Sequence, residues 1–144
     1  MTEAAHLVEN LQRLLSLSEL TADDVFTAGR LVMDLGYHDL KPYPQFNFHA
    51  ACEKVLSLYR ALLEVQPSDA RCLNDLAALL LSRGYVVEGR RLALLALAAA
   101  PDIRTVHENV KIADIYCHIT PFHQVPQVGD SDAFLLAYFD PHAH

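Results

Sequence analysis

A chain of 144 residues, 52% hydrophobic and 20% charged, is long enough to bury the core of one domain and too apolar for a disordered chain. Its net charge of −7, with no stripe of Lys or Arg to neutralise a phosphate backbone, excludes nucleic acid as the expected partner. The apolar run Leu92 to Ala100 is far short of the roughly 20 residues of a bilayer span, and Met1-Thr2-Glu3 is no basic signal start, so a soluble cytoplasmic protein with no membrane partner is predicted.

Leu7, Leu11, Leu14 and Leu15 recur at helical spacing between Glu3 and Leu17, which predicts an amphipathic first helix ending in Ser16 to Glu19. Thr21 stands three residues before Asp24, an N-cap with a carboxylate in the first turn, and opens a second helix, Ala22 to Leu35. Gly36 is expected to stop it in the left-handed conformation. Lys41-Pro42-Tyr43-Pro44 cannot continue a helix, so Tyr37 to Phe46 is predicted as a loop, either a flap over a groove or a strut on the core. Asn47 caps a third helix running to about Gln66. Pro67 and a capping Ser68 open the fourth, Asp69 to Arg83, stopped at Gly84; the fifth is Val86 to Ala100, stopped at Pro101. A sixth starts near Asp102 and ends at about His118, before Pro121. Phe122 to Gly129 reads as loop and Asp132 to Phe139 as a last short helix. No segment alternates as a strand does.

Pro67 and Pro101 lie 34 residues apart, each closing a Leu/Ala-rich stretch, and that is the length of one helix-turn-helix repeat unit. Between them Leu73-x2-Leu76-Ala77-x2-Leu80, the turn glycine Gly84, Gly89-x3-Ala93, Ala96 and Pro101 form a pattern that resembles the tetratricopeptide family. Val25-x2-Ala28-Gly29-x2-Val32 with Gly36, then Val55-x3-Tyr59, Leu62 and Pro67, resembles a second unit interrupted by the proline-bearing loop. Asn109-x2-Ile112-Ala113-x2-Tyr116 is half of a third, and the family's Trp is absent throughout. The resemblance implies an all-α fold of antiparallel helix pairs stacked as a short right-handed superhelix, with an irregular helical bundle as the alternative. The predicted organisation is an N-terminal helix over residues 1–20, a repeat domain over 21–120, and a loop with a capping helix over 121–144.

The resemblance further implies a concave groove lined by the first helix of each unit, holding a protein or peptide segment. Its positions here are Asp23, Thr27, Arg30 and Asp34, then Arg71, Asn74, Asp75, Ala78 and Ser82, then His107, Lys111, Asp114 and His118. The last set recurs at i, i+4, i+7 and i+11, a polar stripe opposite Val106, Val110, Ala113 and Cys117. Ala78 stands where a carboxylate-gripping set would place a polar residue, so no such clamp is expected. Leu92 to Ala100 is apolar nearly all round and is expected to be covered on two sides, by neighbouring helices or, in a homodimer, by a second chain.

Signatures of chemistry are few. Three cysteines, Cys52, Cys72 and Cys117, form no C-x-x-C pair and read as buried thiols. There is no G-x-S-x-G, G-x-G-x-x-G or P-loop, and His107-Glu108-x2-Lys111 breaks H-E-x-x-H at its second ligand. The sequence therefore predicts a non-catalytic scaffold with no cofactor and no metal. Two alternatives stand beside it: a metal-binding helical domain using Asp114, His118, His123 and His107, with His142 and His144 late in the chain, or the helical targeting part of a larger enzyme.

Overall fold

The computed structural model describes residues 2–119, in which six helices and no strands occur: α1 (Glu3–Leu15), α2 (Ala22–Leu35), α3 (Phe48–Val65), α4 (Ala70–Ser82), α5 (Val86–Ala99) and α6 (Arg104–Ile119). The all-α class is as expected. The loop and capping helix predicted after residue 120 lie outside the described residues.

The helix boundaries follow local chemistry. Thr21 accepts from the Asp24 N–H while the Asp24 carboxylate accepts from the Thr21 N–H, a complete capping box. Asn47 caps α3 by accepting from the Ala50 N–H. At α4 the cap is Asp69, which accepts from the Cys72 N–H, and not Ser68 as expected: the helix starts one residue later and its carboxylate is the better partner for the positive end of the helix. Two other ends also move. Helix α1 stops at Leu15, where the Ser16 hydroxyl and N–H both turn back to the Arg13 carbonyl, and α6 starts at Arg104, after a turn in which the Ile103 N–H bonds to Ala100 O.

The two stop glycines behave differently. Gly84 has φ +90, and the Tyr85 N–H returns to Leu80 O at 2.9 Å while the Gly84 N–H returns to Leu81 O, the paired closure that needs a left-handed residue. Gly36 was expected to do the same, but it stays right-handed at φ −60. There α2 winds down through bonds from Tyr37 N–H to Asp34 O and His38 N–H to Leu35 O, which need no special conformation.

Each helix packs on its chain neighbours, and α4 also packs on α2 and α6. This places α4 at the centre, and every residue from Cys72 to Ser82 is buried. The loop before α3 is a strut: Leu40 and Phe46 pack on the core, Phe46 meets Phe48 with ring centroids 6.3 Å apart, and the Tyr43 hydroxyl is 2.6 Å from that of Thr2. Helix α5 departs from expectation, since Leu92, Ala93 and Ala96 are buried while Leu94 and Leu95 are exposed. It packs on both α4 and α6, and the face carrying Leu94 and Leu95 is left open among the described residues.

Close approach of α2 to α3 requires Gly29. A Cβ there would come within 2.8 Å of the Tyr59 ring and nearer still to its hydroxyl. That hydroxyl is fully buried without a hydrogen-bond partner among the described residues, so it adds no stability by bonding. Gly29→Ala is expected to destabilise by about 1–3 kcal/mol through overpacking, whereas Tyr59→Phe, which removes an unsatisfied donor, is expected to leave the fold at least as stable. Chemical denaturation of both variants checks this; a clear loss of stability in Tyr59→Phe would contradict it.

Candidate functional site

Side chains from α2 and α4 form a polar cleft of about 290 Å³ lined by Phe26, Thr27, Arg30, Leu31, Asp34, Arg71 and Asp75. Five of the residues predicted from sequence, Thr27, Arg30, Asp34, Arg71 and Asp75, thus converge. They do so because Arg30 and Asp34 are one turn apart on α2, Arg71 and Asp75 one turn apart on α4, and the two helices pack side by side.

Arg71 is held from three directions. Its guanidinium lies over the Phe26 ring, 4.1 Å from the centroid. Asp75 on its own helix and Asp23 at the start of α2 each stand at 4.0 Å, at the edge of ion-pairing range. Asp75 is itself buried, and its second oxygen accepts from the Asn74 side-chain amide at 3.3 Å. The Asn74 carbonyl in turn accepts from the Asn109 amide of α6 at 3.0 Å. A buried polar chain therefore runs from α6 through α4 to the floor of the cleft.

That chain corrects part of the predicted groove. Asn74 has no exposed surface, because Asn109 of α6 lies against it, and Ser82 is buried with its hydroxyl donating to Leu79 O at 2.7 Å. Ala78 is buried as well. None of the three faces solvent. The α6 stripe is exposed as predicted but belongs elsewhere. His107 is hydrogen-bonded to Pro101 O, Asp114 accepts from Arg90 Nε at 2.7 Å, and Asp114 and His118 line a separate cleft of about 750 Å³ between α5 and α6 with Val87, Arg90 and Leu94. Lys111 is exposed on α6 and lines neither cleft. The loop of residues 37–46 lines neither cleft.

Sequence reasoning missed a second cavity. About 230 Å³ in volume, it adjoins the polar cleft and is lined by Ala22, Phe26, Leu62, Val65, Gln66, Asp69 and Cys72. Phe26 borders both. The signal was faint: an aromatic beside the core residue Val25 reads as core, and nothing in the sequence marks Val65 as exposed, yet it is 78% exposed.

Electrostatics separate the groups further. Burial raises the Asp34 carboxyl above its ordinary 3.8; Arg30 pulls it down, Glu3 pushes it up and His38 lowers it again, and burial prevails. Burial also pushes the Cys72 thiol up to about 12, with Asp69 and Asp75 adding to it, and the Cys52 thiol to about 11. Both stay protonated at neutral pH and are poor nucleophiles. The three cysteines are free thiols, Cys52 and Cys72 buried and Cys117 partly so. Among the described residues no three His, Cys, Asp or Glu side chains gather to hold a metal, and His123, His142 and His144 lie outside them. No helix among them is long and apolar enough to cross a membrane. Comparison of the chain with protein-family models, curated proteins and solved structures gave no match.

The raised Asp34 carboxyl has a defined sign. A folded-state value above the unfolded one favours the native state most at low pH, and that contribution is lost as pH rises through the folded value. Asp34→Asn is therefore expected to melt at or above wild type at pH 7, with the gap closing as pH falls toward 3.8. Thermal melts of both proteins across that range check this. A variant markedly less stable than wild type at pH 7 would mean that Asp34 is a net stabilising partner.

Proposed function

We propose that this protein is a non-catalytic interaction scaffold whose α2/α4 seam holds a segment of a protein partner. The observation that carries the reading is the convergence of Arg30, Asp34, Arg71 and Asp75 on one open cleft, with Arg71 already oriented by Phe26 and Asp75. Orienting a long side chain before binding reduces the entropy lost when a partner docks, and charged groups fixed on rigid helices select a partner by complementary charge. The packing of α2 on α4 and of α4 on α6, with α3 and α5 as the intervening second helices, supports a tetratricopeptide-like stack. So do the small residues at its close approaches: Gly29 against Tyr59, and Gly89, where a Cβ would come 2.8 Å from Leu81. Thiols held protonated and a cleft whose charged groups are guanidiniums and carboxylates suit recognition better than covalent chemistry.

Asn74 is unsuitable as a binding probe, since its truncation disturbs the core. Arg71, at the surface, is suitable. Affinity capture from native cell lysate with wild type, Arg71→Glu, Asp34→Arg and a control Arg13→Glu on α1 should yield a protein that wild type and the control retain and one of the two seam reversals loses, with all four giving the same circular dichroism. Identical capture by all four would remove the seam from consideration.

A further inference from the structure

The two cavities that meet at Phe26 differ in character. One is mainly apolar, walled by Phe26, Leu62, Val65 and Cys72 with Gln66 and Asp69 also in its lining, and its volume of about 230 Å³ suits one large aliphatic or aromatic side chain. The other carries charge. Both lie along α2, the first at Ala22 and Phe26 and the second at Phe26 to Asp34. At 1.5 Å per helical residue their centres are about 10 Å apart, which an extended peptide covers in about three residues at roughly 3.3 Å each.

Charge decides what enters the second cavity. The Arg71 guanidinium is flanked by Asp23 and Asp75 and has one face against Phe26. Around the seam stand the carboxylates of Asp23, Asp34, Asp69 and Asp75 against the guanidiniums of Arg30 and Arg71, so the local balance is negative, as it is for the whole chain. Asp23 and Asp75 each stand 4.0 Å from Arg71 and Asp69 caps α4, whereas Asp34 has no ion pair within 4.0 Å among the described residues, and Arg30 does not offset the burial of its carboxylate. A cation brought to Asp34 would supply the missing counter-charge, whereas an anion would meet those four carboxylates.

We infer that the seam binds an extended protein segment carrying one large apolar residue and, two or three positions away, a Lys or Arg, the apolar side chain filling the Phe26–Val65 cavity and the cation pairing with Asp34. This rests on the scaffold reading and names the partner's chemistry. Exposure of Val65 at the mouth of the apolar cavity then has a use, as the lip over which the anchor enters.

The test is selection of a random peptide library displayed on phage against the full chain, followed by binding measurements with synthetic peptides of the enriched sequences. The expected result is enrichment of Leu, Ile, Phe or Met two or three residues from Lys or Arg. Changing that Lys or Arg to Glu should weaken binding at least about tenfold, and Asp34→Arg in the protein should restore binding of the Glu peptide. Enriched peptides that are acidic and depend on Arg71, or apolar with no basic requirement, would overturn this inference and leave the scaffold reading standing. An absence of enrichment, or enriched peptides indifferent to both Arg71→Glu and Asp34→Arg, would overturn both.

Discussion

Asn74 and Asn109 have no access to water, and each buried amide must be satisfied within the protein or destabilise the fold by about 1–3 kcal/mol. The bond from Asn109 to Asn74, continued from Asn74 to Asp75, meets that requirement across two helices. Because Asp75 is also buried, its orientation is set from inside, and it presents its other oxygen to Arg71. A surface guanidinium is thus connected, through Asp75, to a hydrogen bond in the middle of the molecule.

This arrangement explains why the functional reading centres on one seam and not on a continuous groove. Helix α4 is enclosed over Cys72 to Ser82 and opens to solvent only at its first turn, where Arg71 projects. The exposed stripe of α6 contributes nothing to the lining of that seam, and its Asp114 is tied to Arg90 of α5. Recognition is left to the start of α4 and the length of α2, where a stacked cation, two helix-borne carboxylates and an apolar cavity adjoin.

Much of the fold was legible because its signals are local. Thr21 with Asp24, Asn47, and Gly84 act on their own helix ends, so their meaning survives whatever packs around them. The misassigned details are those that a neighbour decides. Asp69 competed with Ser68 for one cap and won by register and charge; Gly36 had no need of the left-handed state. Asn74 and Ser82 sit at positions that periodicity places on an outer face, and only the arrival of α6 and the burial of all of α4 turn them inward. Phe26 and Val65 belong to one cavity because α2, α3 and α4 meet there, a contact that no single stretch of sequence records.

The central claim, that the Asn109–Asn74 bond holds α4 and α6 together, is tested most directly by a double-mutant cycle in unfolding free energy with Asn74→Ala, Asn109→Ala and the pair. A bond between two buried amides predicts a coupling energy of about 1 kcal/mol or more, the double variant losing clearly less than the two singles combined. Losses that simply add would contradict the account, since the two side chains would then stabilise the fold independently.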